Sequence, residues 1–194
     1  RSGLDHMSEV AVLFARSDSV YKRIPGCEVY DLDRNAMNYA GGMPVIAHPP
    51  CRMWGRLRAF SNHRPDEALT GYFSTWMVQL HGGVLEHPAG STLWNRMSLP
   101  LPGEVDHHGG WTLPITQWWW GHRANKKTWL YIVGVRPQDM PVMPLQLGSP
   151  PCVVENSSSA AVKRPTITKA EREATPTDLA HWLVEVASLA SVPN

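Results

Sequence analysis

The sequence predicts an α/β protein, an open and mostly parallel sheet with helices on both faces. Three observations carry this. Val10-Ala11-Val12-Leu13-Phe14 is a continuous apolar run, as in a strand buried on both sides. Val45-Ile46-Ala47 and Thr128 to Val133 are further runs of strand length. Between them, Ala68, Leu69, Tyr72, Phe73, Trp76, Met77 and Leu80 repeat at helical spacing. Strands alternating with helices imply a sheet covered by helices. The 194 residues are 43% hydrophobic, enough for one substantial core.

Taken in order, Glu9 to Phe14 is the first strand. It leads into Ala15-Arg16-Ser17-Asp18-Ser19-Val20-Tyr21-Lys22, a polar segment with no glycine. That excludes a dinucleotide-type turn, which needs glycine for close backbone approach to a phosphate. Its side chains can hold an anion, or Ser17 or Asp18 can cap a helix. Pro25-Gly26 turns the chain, and Cys27 to Leu32 reads as the second strand, with Asp31 and Asp33 at its carboxyl end. Arg34 to Tyr39 reads as a short helix closed by Gly41-Gly42. The Val45–Ala47 strand stops at Pro49-Pro50, which can neither extend a ladder nor enter a helix. Cys51 therefore stands at the carboxyl end of a strand, the edge where open α/β sheets bind ligands.

Pro65-Asp66-Glu67 starts a helix, with its aromatic stripe read as the core face and Gly82-Gly83 closing it. Val84-Leu85 is a short strand with Glu86-His87-Pro88 at its end. Residues 89 to 116 read as loop-rich. Gln117 to Trp120 and Gly121-His122 precede Lys126-Lys127, which lead into the strand Thr128–Val133. The span 136 to 165 is rich in Pro and Ser and reads as a linker or surface wrap. Thr175-Pro176-Thr177-Asp178 caps a last helix with Leu179, Trp182, Leu183, Val186 and Leu189 on one face. The organisation is thus a remnant of cloning at 1 to 6, a main domain at 7 to 135, the wrap, and a C-terminal unit at 166 to 194 packed on the domain.

The formal net charge of +1 gives no global field toward nucleic acid or membrane. Basic residues cluster locally, at Arg52, Arg56, Arg58 and Arg64 and at Arg123, Lys126 and Lys127. Such clusters are commonly solvated faces; flanking Cys51, they point to a phosphate-bearing substrate. Neighbouring cations also favour a thiolate at Cys51. Cys27, Cys51 and Cys152 make neither a disulfide framework nor a metal knuckle, which fits a reducing compartment. No apolar run reaches the length of a membrane span.

A thiolate and a carboxyl group at neighbouring strand ends suit one reaction well. The thiolate adds to C6 of a pyrimidine, the carboxyl serves the N3 side, and C5 becomes nucleophilic. The residues here resemble the DNA cytosine-C5 methyltransferases. His48-Pro49-Pro50-Cys51 is similar to their Pro-Pro-Cys nucleophile loop, and Gly83-Val84-Leu85-Glu86-His87-Pro88 to their Glu-Asn-Val strand end. Lys126 to Gly134 is similar to their late basic motif and strand, and Val29 to Ala36 to the strand whose acid holds ribose.

The resemblance implies a Rossmann-like methyltransferase fold, truncated by one strand-helix unit. It implies Cys51 and Glu86 as catalytic residues and Arg52, Arg56, Gln117, His122, Lys126 and Lys127 as substrate or phosphate ligands. It gives Phe14, Arg16, Ser17, Asp18, Ser19 and Asp31 to S-adenosylmethionine. DNA or a pyrimidine nucleotide is the implied partner, with a second copy or another protein supplying DNA recognition. The wording is also similar to small phage or prophage proteins, which implies the cytoplasm of a bacterial host. The chain departs from the family in lacking the Phe-x-Gly-x-Gly turn and a target-recognition region. Two other classes stay open: a non-catalytic binding module that kept the sheet, and a metal enzyme using His48, His87, His107, His108 and His122.

Overall fold

The computed structural model describes residues 9–55, 58–62, 64, 66–155 and 163–191. Arg56, Pro65 and residues 1 to 6 lie outside the described residues. The sheet is built from β1 (Val10–Leu13), β2 (Cys27–Tyr30), β3 (Val45–Ala47), β4 (Gly83–Pro88), β5 (Trp111–Thr116) and β6 (Lys127–Val133). Their spatial order is β2-β1-β3-β4-β6-β5. The first four are parallel, β6 runs antiparallel to β4, and β5 antiparallel to β6. The chain builds outward from β1 to β2, then crosses to β3 on the other side. That makes β1 and β3 a topological switch point, with a crevice at their carboxyl ends.

Strand residues alternate between two cores. Val10, Val12, Ile46, Val84, Leu130 and Ile132 face α4 (Thr177–Ser188), which contributes Leu179, Leu183 and Val186. Ala11, Leu13, Val45, Ala47 and Leu85 face the other way, toward α1 (Glu67–His81). Helices thus cover both faces, as expected. Each fully buried Leu or Ile contributes roughly 2 kcal/mol.

α1 turns the opposite face to the sheet from the one its apolar stripe predicts. Gly71, Ser74, Thr75 and Val78 are buried, while Leu69, Trp76 and Leu80 are 55%, 53% and 58% exposed. The reason is steric. A Cβ on Gly71 would sit 3.0 Å from Trp54 Nε1 and 3.1 Å from Leu93 Cδ1, so only a residue without a side chain lets the helix lie this close to Trp54 and Leu93. Thr75 Oγ1 donates to the Gly71 carbonyl at 3.0 Å, so its hydroxyl is satisfied in place.

Other elements also differ from expectation. β4 runs six residues, because β6 pairs with it as far as Pro88↔Thr128; Glu86 therefore lies within the strand. The span read as loop holds α2 (Thr92–Arg96) and the edge strand β5. Arg34 to Tyr39 forms only a single 3-10 turn, Ala36–Asn38. The described part of 136 to 165 carries one 3-10 turn, Pro137–Asp139. Near the C-terminus the capping box is Thr168 with Glu171, opening α3 (Lys169–Glu173), while α4 begins after Pro176 without a side-chain cap.

Gly83 fixes the β3–β4 pairing that the site depends on. Its φ is +116°, and a Cβ there would overlap the Val45 carbonyl oxygen. Gly90 also has positive φ, +74°, but nothing lies within 4 Å of its Cβ position. Gly83→Ala is expected to cost about 3 kcal/mol or more, and Gly90→Ala about 1 kcal/mol. Equal costs in thermal or urea unfolding would rule out close strand contact as the cause.

Candidate active site at the ends of β3 and β4

β3 and β4 pair in parallel with Ala47 opposite Leu85, so His48 and Glu86 follow side by side at the next step. Their side chains meet: His48 Nδ1 lies 3.0 Å from Glu86 Oε2. On the other side of the imidazole, His48 Nε2 lies 3.0 Å from the Tyr21 hydroxyl. Gln117 Nε2 donates to Glu86 Oε1 at 3.0 Å and to Thr128 Oγ1 at 3.1 Å. A carboxylate only accepts, so His48 Nδ1 carries the hydrogen of the contact with Glu86.

Glu86 is nearly enclosed, with 12% of its side chain exposed. Burial alone pushes its carboxyl upward, but Lys126, then the His48 hydrogen bond and charge, outweigh burial and bring it down to about 2. Glu86 is a fixed anion. Tyr21 stays a neutral phenol, because burial and the Glu86 charge push its hydroxyl well above its ordinary range.

Cys51 lies three residues past His48, exposed and free of any disulfide. The carbonyl of Cys51 accepts from Trp54 N at 3.0 Å and Gly55 N at 2.8 Å, which turns the loop back on itself. The expectation of an Arg-activated thiolate does not hold for Arg52, which instead pairs with the buried carboxylate of Glu67 at the start of α1. Crowding by the surrounding protein raises the Cys51 thiol, Glu86 adds to the rise, and Lys126 opposes it. Beneath the loop sits His87, fully buried, with no hydrogen bond of normal geometry at either ring nitrogen. Burial lowers it to about 4, although Glu86 and the Pro50 and Pro49 carbonyls favour its charge.

The structure brings Cys51, Glu86, Gln117 and Lys126 together, with His48 and Tyr21, which the sequence reading did not assign to the site. A histidine before Pro-Pro and a tyrosine in the turn after β1 were the available signals. His122 goes elsewhere. It is buried, with Nε2 donating to the Glu171 carbonyl at 3.2 Å and Nδ1 accepting from Ala124 N–H at 3.0 Å. Lys127 is exposed at the edge of β6.

Of the residues that the resemblance gives to S-adenosylmethionine, Phe14, Arg16, Asp18, Ser19 and Asp31 have partners within the chain. Arg16 pairs with Asp18 and, at 3.1 Å, with Glu173. Ser19 caps the 3-10 turn Val20–Arg23, and Ser17 is exposed. Asp31 holds Lys22 Nζ at 2.5 Å and accepts from the backbone N–H of Asp33 and Arg34. Phe14 has φ +59° and stacks edge-on against Phe73. Tyr21 fills the switch-point side of His48. This arrangement does not fit an adenosyl group.

Of the histidines considered for a metal, His107 and His108 stack on each other with ring centroids 3.9 Å apart. Among the described residues no group of three or more His, Cys, Asp or Glu is arranged to hold an ion, and no helix is long and apolar enough to cross a membrane. Comparison with known protein families, curated proteins and solved structures finds no match to the chain.

Both site groups make stability acid-sensitive. The His87 pKa falls from 6.5 in the unfolded chain to about 4, so the unfolded state binds the extra proton and stability drops as pH falls through that window. Glu86, lowered from 4.5 to about 2, stabilises the fold above pH 4.5, and that contribution, up to about 3 kcal/mol, is lost between pH 4.5 and 2. Melting curves should therefore show the wild type losing stability as pH falls from 6.5 toward 4, with His87→Leu losing clearly less over that range. Parallel curves would remove His87 as the cause.

Proposed function

We propose that this protein activates C5 of a cytosine base, in DNA or as a nucleotide, by adding the Cys51 thiolate to C6. The observation that carries the reading is the placing of Cys51 just past the end of β3 and of an ionised Glu86 on the adjacent parallel strand β4. The order β2-β1-β3-β4-β6-β5, with a reversed β6, is compatible with the Rossmann-like fold that the reading needs.

Because Glu86 is charged, it accepts rather than donates. Its carboxylate receives the N4 amino hydrogen and an N3–H, and so favours the N3-protonated base. Sulfur then bonds to C6, the C5=C6 pair moves to C5 and toward N3, and the adduct is a neutral enamine. C5 takes up a proton. Loss of the original C5 hydrogen and departure of the thiolate restore the base. His48 and Gln117 hold the carboxylate in position, and Lys126 and Lys127 serve the phosphate. Arg52 is committed to Glu67. Asp31, Arg16 and Tyr21 are partnered inside the chain, and the electrophile that C5 takes up is a proton.

The test needs no donor. In heavy water, an oligonucleotide containing cytosine should exchange its C5 hydrogen for deuterium in the presence of the protein, read by proton NMR. Cys51→Ser should reduce the rate to background. Because the thiol is raised, the rate should still climb above pH about 8.5, the ordinary thiol range. No exchange by the wild type, with oligonucleotide binding intact, would favour the non-catalytic binding module.

A further inference from the structure

Two buried anchors bracket α3. Ile167 packs with Ala124 and Cys152, and Leu179 belongs to the core that α4 makes with the sheet. From Thr168 to Asp178, between them, no residue is buried. α3 meets the rest of the chain through polar contacts at both of its sides. Glu173 Oε2 accepts from Arg16 Nη1 at 3.1 Å. Glu171 Oε1 accepts from Arg123 Nη1 at 2.7 Å, and the Glu171 carbonyl accepts from His122 Nε2 at 3.2 Å.

These contacts bridge the site. Arg16 is the third residue past β1, and Arg123 sits in the turn that leads into β6. In the sheet order, β3 and β4 stand between β1 and β6. The start of β6 lies beside the end of β4, with Thr128 opposite Pro88, so both turns are on the edge that carries Cys51 and Glu86. A cleft lined by Gly121, Arg123, Glu171 and Thr175 lies between α3 and the second turn. Glu173 is near enough for its charge to raise the Cys51 thiol.

We propose that α3 is an acidic strap across a nucleic-acid binding edge: Glu173 and Glu171 occupy the places of two backbone phosphates of a single strand on Arg16 and Arg123, and the strand binds by displacing α3. This rests on the polymer form of the proposed substrate. The chemistry of the exchange is simple, because a guanidinium fork takes a carboxylate and a phosphate in the same geometry. Asp18 holds Nε and Nη2 of Arg16 and leaves Nη1 as the arm that faces α3. Residues two apart on a helix face different ways. The two carboxylates therefore mark two separate anion positions, which a polyanion fills together and a single phosphate does not. All four side chains are between 32% and 62% exposed, so the pairs are of the surface kind that holds weakly and that salt screens. With the formal net charge at +1, no global field draws a strand in, and the freed arginines together with Lys126 and Lys127 make this edge locally positive. The buried Ile167 and Leu179 keep the strap attached when it lifts.

Fluorescence anisotropy of the full chain with a labelled single-stranded DNA of about 12 nucleotides tests this. The double variant Glu171→Gln with Glu173→Gln should bind about tenfold tighter than wild type. Glutamine keeps the capping box with Thr168, so α3 itself is retained. The affinity of this variant should also fall more steeply with salt, by about 1.4 in the logarithmic slope, roughly 0.7 for each phosphate contact no longer exchanged for a carboxylate. A charge-matched control uses Asp139, past the far end of β6, and the exposed Glu185 of α4. Asp139→Asn with Glu185→Gln should bind as wild type does, within about twofold. Adding Arg16→Gln and Arg123→Gln to the tight variant should abolish its gain. In hydrogen exchange of the wild type, the amides of Arg172 and Ala174, which donate to the Thr168 and Ala170 carbonyls, should lose protection when the DNA is added. An unchanged affinity in the Glu171→Gln, Glu173→Gln variant, a gain matched by the control, or amides that stay protected in the complex overturns the proposal. So does C5 deuterium exchange on a free cytidine nucleotide with no binding of the strand, an outcome that leaves the Cys51 chemistry standing. Strand binding that responds as described, without C5 exchange, supports the strap and counts against that chemistry.

Discussion

An anion that is nearly enclosed must be surrounded by donors, and Glu86 is such an anion. Its two oxygens are claimed by His48 from β3 and by Gln117 from the turn after β5, while Lys126 supplies charge from the start of β6. Three separate elements thus have to arrive at one carboxylate. The Tyr21 hydroxyl adds a fourth through His48. Any shift in the pairing of β3, β4 and β6 would leave a buried charge without partners, which costs far more than a surface ion pair returns. The polar network and the sheet register therefore specify each other.

Much of this was legible in the sequence. The apolar runs marked β1, β3 and β6 because strands buried on both faces leave no alternation to misread. Pro-Pro fixed where β3 ends, and so where Cys51 stands. β5 escaped notice for a physical reason. It carries Pro114, and proline is tolerated there only because β5 is the edge of the sheet, a fact of assembly that no local window contains. β4 looked shorter than it is because its last residues are polar; they remain in the ladder since β6 runs alongside them.

The reading of α1 failed more instructively. Helical spacing correctly located the helix, but its most apolar face does not meet the sheet. Periodicity reports which side of a helix shuns water, without reporting what covers that side. Here close packing of α1 on Trp54 and Leu93 decided the matter, and Gly71 permits that approach. Similarly, a run of arginines near a cysteine looked like thiolate activation. Arg52 instead answers the demand of buried Glu67, a partner fifteen positions away that local reading does not reach.

That last pair has a mechanical side. Arg52 adjoins Cys51, and its guanidinium is tied to a carboxylate sealed under the first turn of α1. To lift the loop, the chain must leave the buried Glu67 carboxylate without its partner, at a cost of about a few kcal/mol. Pro49 and Pro50 stiffen the loop from the other end. The sulfur is thus mounted on a fixed jaw, and whatever reacts with it has to swing in from outside.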